Sequence, residues 1–167
     1  DMWALGYTGQ GQTIAVIDTG IKVNHTNFAT APQDPHFDAA GIQSVLNRYD
    51  LCAEERYNGT LTGATLYHSA KLPFTFNYYA GNTDVSHANA GSDHGTHVSS
   101  IAAGCDSSSR GVAYNAQIIS MQVFQNGGAA WTEILAALED CAWLEVDALN
   151  MSLGSDNGFT QGEADME

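Results

Sequence analysis

Three short stretches of the chain are apolar at most positions and rich in residues that form strands. They span residues 13–17, 116–124 and 147–153. The first reads Thr-Ile-Ala-Val-Ile, and no polar residues alternate with its apolar ones, which is typical of a strand buried on both faces of a parallel sheet. The three stretches therefore predict strands of such a sheet.

Two helices are predicted between these strands. One spans residues 93–104 and ends at a glycine, which commonly terminates helices. The other spans residues 132–144, where Thr132 can cap the N-terminus and apolar residues recur at helical spacing. Strands that alternate with helices indicate an α/β domain with a mainly parallel sheet.

A long segment, residues 24–92, departs from this alternation. It is polar in patches and contains all three prolines of the chain. We expect surface loops here, with one helix at residues 39–48 and one short strand at residues 74–79. Long irregular segments of this kind in a small domain are usually functional or decorative loops.

Size and charge narrow the class of protein. The chain has 167 residues, 44% of them hydrophobic, which suits one domain or a part of a larger one. Its net charge of −14 repels phosphate backbones, so nucleic acid is not an expected partner. No apolar run reaches the roughly 18 residues that span a bilayer, and the first residues do not resemble a signal peptide.

The cysteines do not indicate a disulfide framework. Cys52, Cys105 and Cys141 are odd in number and widely spaced, and they form no CxxC zinc motif. We expect buried or unreactive thiols.

Asp18 directly follows the first predicted strand. A carboxylate there lies at the edge of the sheet where α/β active sites form, and it could accept a hydrogen bond from an imidazole and fix its tautomer. Alternatively, Asp18 starts the turn before Gly20. The Asp-Thr-Gly triplet also occurs in aspartic proteases, but those need two copies and this chain has one.

His94 stands at the start of the first predicted helix. Gly95 after it would let a substrate or another chain approach closely. His97 lies three residues on and shares the same helix face, but a zinc site needs a third ligand, and the glutamate of His-Glu-x-x-His is absent. We therefore expect one catalytic histidine and one packed, hydrogen-bonded histidine, with no metal.

The last predicted strand ends in Asn-Met-Ser-Leu-Gly, residues 150–154. This is half of a Gly-x-Ser-x-Gly nucleophile elbow, with asparagine in place of the first glycine. The alternatives are the end of a buried strand and an exposed strand end that pairs with an extended peptide. We favour the exposed strand end over a nucleophilic Ser152.

Taken together, these segments resemble the subtilisin-like serine proteases, the subtilases. Residues 16–21 read Val-Ile-Asp-Thr-Gly-Ile and residues 94–98 read His-Gly-Thr-His-Val. Residues 111–116 (Gly-Val-Ala-Tyr-Asn-Ala) and 150–154 follow in the order and rough spacing of the family, which usually has proline where this chain has Tyr114. The combination of these motifs is specific for the family, although each motif alone is weak evidence.

The separation of Asp18 and His94, 94 − 18 = 76 residues, exceeds that of the smallest subtilases and indicates a subgroup. Residues 71–79 and 82–85 resemble the approach to the histidine in lactocepin-like, cell-envelope subtilases of Gram-positive bacteria. The resemblance implies a secreted or cell-envelope-attached bacterial enzyme. It makes residues 1–167 the N-terminal portion of a catalytic domain, with a long loop insert at about residues 29–88.

The resemblance implies a three-layer α/β fold, with a mainly parallel sheet flanked by helices, and peptide-bond hydrolysis through an acyl-enzyme. His94 would be the general base and then the general acid, and Asp18 would orient it and stabilise the imidazolium. Calcium is common in the family, but Asp84 near Asn82 is at most a weak candidate ligand here.

A protein or peptide substrate would lie between two strands. The segment 152–154 would pair with its backbone, and residues 127–129 (Gly-Gly-Ala) would match the opposite edge strand. Two aromatic residues would line a pocket for hydrophobic side chains. The implied substrate-binding residues are Phe124, Gly127, Gly128, Trp131, Ser152, Leu153 and Gly154.

The family's nucleophilic serine, carried in a Gly-Thr-Ser segment, has no counterpart in the chain. Three explanations stay open: a part of a longer protease, one half of a nicked enzyme with the serine on a second chain, or a peptide-binding or structural module that has lost catalysis. We expect no hydrolysis by the isolated chain. Because a truncated parallel sheet leaves an open edge, we also expect self-association, strand exchange or a partner.

Overall fold

Four parallel strands form the centre of the computed structural model, which describes residues 2–154. They lie in the spatial order β2-β3-β1-β4, and every neighbouring pair is parallel. The mainly parallel sheet predicted from the sequence is therefore confirmed. The strands are β1 (Thr13–Asp18), β2 (Phe74–Asn77), β3 (Gln117–Gln122) and β4 (Ala148–Asn150).

Helices connect the strands and cover both faces of the sheet. α4 (His87–Ala90) and α5 (His94–Ala103) lie between β2 and β3 in the chain, and α6 (Trp131–Trp143) connects β3 to β4. Short 3₁₀ turns at Trp3–Leu5 and Thr26–Phe28 flank β1. Within the described residues, no helix is long and apolar enough to cross a membrane.

Successive side chains of β1 point to opposite faces of the sheet. Ala15 and Ile17 join an apolar cluster with Ile134 of α6. Val16 joins a second cluster with Ala103 of α5. The continuous apolar pattern of β1 thus follows from burial on both faces, and the three-layer α/β fold is confirmed.

Several predicted boundaries shift by one to three residues, and two of these shifts change the interpretation of the sequence. α6 begins at Trp131, so Thr132 lies inside the helix, and its hydroxyl bonds to Glu133 instead of capping the N-terminus. The third predicted strand is formed only over Ala148–Asn150. This strand lies at the edge of the sheet, where Leu149 is 41% exposed, and not in the buried interior that its apolar pattern suggests.

The segment before α5 is more ordered than the expected surface loops. Besides β2 it contains α1 (Ala39–Leu46), α2 (Cys52–Arg56) and α3 (Gly63–Leu66). The predicted helix and strand are present as α1 and β2, each two residues shorter than expected. The expectation of surface loops around them is wrong, because α2 and α3 also help to complete the core on the α6 face of the sheet. Large side chains of this segment that are at most 1% exposed and belong to the cluster on the α6 face are Ile42, Leu51, Leu66, Phe74, Phe76 and Tyr78.

One buried carboxylate joins this segment to α6. Asp140 is fully buried and accepts hydrogen bonds from the backbone N–H of Cys52 at 2.7 Å and of Ala53 at 3.0 Å. The hydroxyl of Tyr78 donates a third bond at 2.8 Å. Because the two N–H groups belong to the first turn of α2, Asp140 caps that helix from another element.

The three cysteines are unpaired, as the sequence predicts. Cys141 is buried, and burial raises the pKa of its thiol to about 12. Burial also raises the pKa of Cys52 to about 12, with the charge of Asp140 adding to the effect. These two thiols therefore stay protonated at neutral pH.

Candidate active site

The carboxyl end of the sheet brings Asp18 and His94 together. Nδ1 of His94 lies 2.9 Å from Oδ1 and 3.0 Å from Oδ2 of Asp18. The Asp18 side chain is 2% exposed, whereas that of His94 is 49% exposed. The pair therefore joins a buried carboxylate to an imidazole at the protein surface.

The hydrogen bond fixes which ring nitrogen of His94 carries the proton. An ionised carboxylate can only accept hydrogen bonds, so Nδ1 donates to Asp18. In the neutral ring Nε2 then keeps its lone pair and can accept a proton from another group. The backbone N–H of Thr19 donates to Oδ1 of Asp18 at 2.7 Å and holds the carboxylate in place.

Local structure explains why the two side chains meet. Asp18 is the last residue of β1, and His94 is the first residue of α5, where the Ser92 hydroxyl accepts a hydrogen bond from its backbone N–H at 3.3 Å. A Cβ atom at Gly95 would overlap the carbonyl oxygen of Gly20. What approaches Gly95 is therefore the turn after β1, and not the substrate or second chain that the sequence suggests.

His97 does not have the packed position expected from the sequence. Its side chain is 73% exposed, and Nε2 lies 4.0 Å from a carboxylate oxygen of Asp93. Within residues 2–154, no group of three or more histidine, cysteine, aspartate and glutamate side chains could hold a metal ion. The side-chain oxygens of Asn82 and Asp84 accept backbone N–H bonds of 2.9 and 3.0 Å within their own loop.

Two adjoining cavities contain the residues singled out from the sequence. The first, about 380 Å³, opens over Asp18 and His94. The predicted binding residues that line it are Phe124, Gly127, Ser152, Leu153 and Gly154. The second, about 300 Å³, shares part of this lining and adds Gly128, Ala129, Trp131 and Ile134.

Different elements bring these linings together. Gly127 and Gly128 belong to a tight turn after β3, in which the Gly128 N–H donates to the Gln125 carbonyl at 3.0 Å. Trp131 is the first residue of α6, and residues 152–154 follow β4. The turn at Gly127 and the segment 152–154 both line the cavity that opens over His94.

Several lining residues were not predicted as site residues. Thr19, Ala90 and Ser92 line the first cavity, and Ile134 lines the second. The sequence marks Ile134 as an apolar helix position, but its place in the cavity depends on where α6 packs. The hydrogen bond from the Thr19 backbone to Asp18 was also missed, although the two residues are adjacent in the chain.

Ser152 has the position of an exposed strand end. Its hydroxyl bonds to the side chain of Asn150, with Nδ2 of Asn150 donating at 2.9 Å. Within residues 2–154, no hydrogen bond joins Ser152 to His94. The geometry therefore favours a wall of the cavity over a nucleophile.

The fold and the site together define an α/β domain with an Asp–His pair at the carboxyl edge of a parallel sheet. The family model described as the subtilase family matches residues 9–166. The chain therefore belongs to the subtilase family, as its sequence motifs predict.

Its relatives include bacterial proteinases. The PII-type proteinase of Lacticaseibacillus paracasei is 33% identical over 162 residues, which cover 91% of this chain and 8% of the relative. This relative is a lactocepin, the subgroup that the insert predicts. The minor extracellular protease Vpr of Bacillus subtilis (strain 168) is 30% identical over 156 residues, which cover 93% of this chain and 15% of the relative.

A solved structure supports the fold. The Clostridium perfringens CspB protease matches with a TM-score of 0.52 and 21% identity, over 96% of this chain and 33% of that chain. At this identity the likeness shows the fold alone. Because these matches cover 8%, 15% and 33% of the three relatives, the chain spans only part of their length.

Proposed function

We propose that the chain supplies the aspartate and histidine of a Ser-His-Asp triad in a secreted or cell-envelope-attached bacterial serine endopeptidase. The serine comes from polypeptide outside these 167 residues. The proposal depends on one observation: Nδ1 of the half-exposed His94 bonds to the buried carboxylate of Asp18 beside a groove.

In this proposal Nε2 of His94 takes the proton of the serine hydroxyl as the hydroxyl attacks the substrate carbonyl. The imidazolium that forms is stabilised by the carboxylate of Asp18 through Nδ1–H. His94 then returns the proton to the leaving amine, and in the second half-reaction it activates a water molecule. Nε2 has a lone pair available to accept the serine proton, because the single N–H proton of the neutral ring is on Nδ1.

The substrate is a protein or peptide in an extended conformation. Residues 152–154 pair with its backbone on one side, and Gly127 and Gly128 flank it on the other. The second cavity takes an apolar side chain of the substrate, because Phe124, Trp131 and Ile134 line it.

The partner that completes the site is the serine-bearing remainder of the domain, on the same parent chain or on a second chain. Exposed apolar residues on β4, the edge strand, also favour self-association of the chain by itself. Secretion is supported by the relatives, one of which is named as an extracellular protease.

A second candidate function is a non-catalytic peptide-binding module. It is favoured by the exposed strand end around Ser152, whose hydroxyl bonds to Asn150 and not to His94. Sequencing the parent gene beyond the codon for Glu167 separates the two functions. A downstream Gly-Thr-Ser segment supports the protease, and a stop codon with no serine-bearing partner chain supports the module.

The experiment that tests the protease is a peptide-hydrolysis assay with and without the serine-bearing polypeptide. We expect hydrolysis only in its presence, and a loss of about 10⁴-fold or more in kcat for His94→Ala and for Asp18→Asn. His97→Ala is the matched control, because His97 lies one turn further along α5 and is exposed. Labelling of the isolated chain by a fluorophosphonate probe, or full activity of His94→Ala, would contradict the proposal.

A further inference from the structure

Two threonine hydroxyls join the turn after β1 to the first turn of α5. Oγ1 of Thr19 accepts a hydrogen bond from the Gly95 N–H at 2.9 Å. Oγ1 of Thr96 accepts one from the Lys22 N–H at 3.0 Å. We call these two bonds the threonine clasp; each joins the segment that carries Asp18 to the segment that carries His94.

The clasp lies in the protein interior. Thr19 is 9% exposed, Thr96 is 7% exposed, and Gly95 is buried. The first N–H groups of a helix have no partner within the helix, so a buried one needs an acceptor from elsewhere. Thr19 provides that acceptor for Gly95, which ties the N-terminus of α5 to the end of β1.

Thr19 bonds to Asp18 and to Gly95, the residue that follows His94. Its backbone N–H donates to Oδ1 of Asp18 at 2.7 Å, and its hydroxyl holds the residue that follows His94. The imidazole itself is half exposed, and its hydrogen bonds in the described chain are to Asp18. The position of the ring relative to the carboxylate therefore depends on how firmly the backbone at residues 94–95 is held.

We infer that Thr19 is a positioning residue of the site, whose hydroxyl holds the first turn of α5 against β1 and thereby keeps Nδ1 of His94 at hydrogen-bond distance from Asp18. The inference rests on the proposed function for its effect on catalysis. Its effect on the geometry of the Asp–His pair can be measured without activity. Thr96 supports the same contact from the opposite direction.

Three variants separate positioning from general stability. Thr19→Val keeps the branched shape and removes the acceptor, and Thr19→Ser keeps the hydroxyl. Thr13→Val is the matched control, because Thr13 lies at the other end of β1 and its hydroxyl also accepts a backbone N–H, that of Asp147, at 3.2 Å. The same hydroxyl donates to the Asp147 carboxylate at 3.0 Å, so the control loses more hydrogen bonding than Thr19→Val, but far from His94.

The first readout is the ¹⁵N chemical shifts of the His94 ring in the 167-residue chain, recorded where the ring is neutral. We expect the Nδ1–H tautomer in the wild type, Thr19→Ser and Thr13→Val, and a mixture of tautomers in Thr19→Val. Thr96→Val serves as the second variant if Thr19→Val fails to fold. Wild-type shifts in Thr19→Val, or an equal change in Thr13→Val, would overturn the inference.

The second readout is the kinetics of the enzyme assembled with its serine-bearing polypeptide. We expect kcat of Thr19→Val to fall by about 10-fold to 100-fold, with KM unchanged and activity restored in Thr19→Ser. An active enzyme whose kcat is unaffected by Thr19→Val contradicts the inference alone. If the wild type and every variant are inactive while the tautomer still depends on Thr19, the result contradicts the proposed function and leaves the inference on Thr19 intact.

Discussion

At the scale of single residues, the site depends on two glycines at which neighbouring backbone segments approach closely. Gly20 has a φ of +88°, and a Cβ atom there would overlap the carbonyl oxygen of Val85. A Cβ atom at Gly95 would overlap the carbonyl oxygen of Gly20 and lie 3.1 Å from Oδ1 of Asp18. Any larger residue at position 95 must therefore move α5 away from the carboxylate.

We expect Gly95→Ala to lower the free energy of unfolding by about 1–3 kcal/mol, because the added methyl group overpacks a buried backbone contact. The measurement is urea denaturation of the wild type and the variant. Gly128→Ala is the control, since a Cβ atom at Gly128 meets nothing within 4 Å. Equal stabilities of wild type and Gly95→Ala would show that α5 can shift without cost.

The sequence predicts the members of the Asp–His pair, but not what holds them. Asp18 ends an apolar strand and His94 begins a helix, so both have local signals in the chain. The bond between Thr19 and Gly95 joins residues 76 positions apart. Nothing in the local pattern reports such a contact, because it exists only once β1 and α5 have packed together.

At the scale of elements, the buried strands are predicted and the short helices are not. β1 and β3 appear in the sequence as apolar runs because both of their faces are covered. α2 and α3 have five and four residues, too few turns for helical periodicity to show. They depend on distant partners such as Asp140, so their formation is decided by tertiary contacts.

The buried carboxyl group of Asp140 makes the stability of the fold depend on pH. Burial raises the pKa of this carboxyl from 3.8 to about 6, in surroundings that include Tyr78, Cys52, Cys141 and Glu139. Because the folded chain binds the proton more tightly than the unfolded chain, this contribution to stability is present below about pH 4 and is lost as pH rises to 6. The shift corresponds to about 3 kcal/mol.

We therefore expect Asp140→Asn to remove a fall in the free energy of unfolding between pH 4 and 6, measured by urea denaturation at a series of pH values. Asp106→Asn is the control of opposite sign, since hydrogen bonds from Ser108 lower the pKa of Asp106. A carboxyl with a lowered pKa stabilises the fold above its ordinary pKa and loses that effect as pH falls. An unchanged pH profile in Asp140→Asn would contradict the prediction.

At the scale of the whole molecule, the two edges of the sheet differ. All four residues of β2 are buried, and the Thr75 hydroxyl donates to the Leu66 carbonyl of α3 at 3.1 Å. On the other edge, Leu149 of β4 is 41% exposed and the following Met151 is 37% exposed. One edge is thus covered within the chain. The other presents apolar side chains, and no further strand pairs with β4 among residues 2–154.

An exposed apolar edge strand is a template for pairing with another strand. We expect the isolated chain to associate through β4, and we expect the association to strengthen with salt, because a net charge of −14 makes copies repel each other at low ionic strength. Light scattering over a range of salt concentrations measures this.

Leu149→Lys should give a monomer, since a charge on an edge strand opposes pairing. Leu135→Lys is the control, because Leu135 is 47% exposed on α6, away from the sheet edge. A monodisperse wild-type monomer at every salt concentration would refute the association. Equal effects of the two substitutions would instead place the contact outside β4. If the serine-bearing polypeptide pairs with the same edge, its addition should displace the self-association.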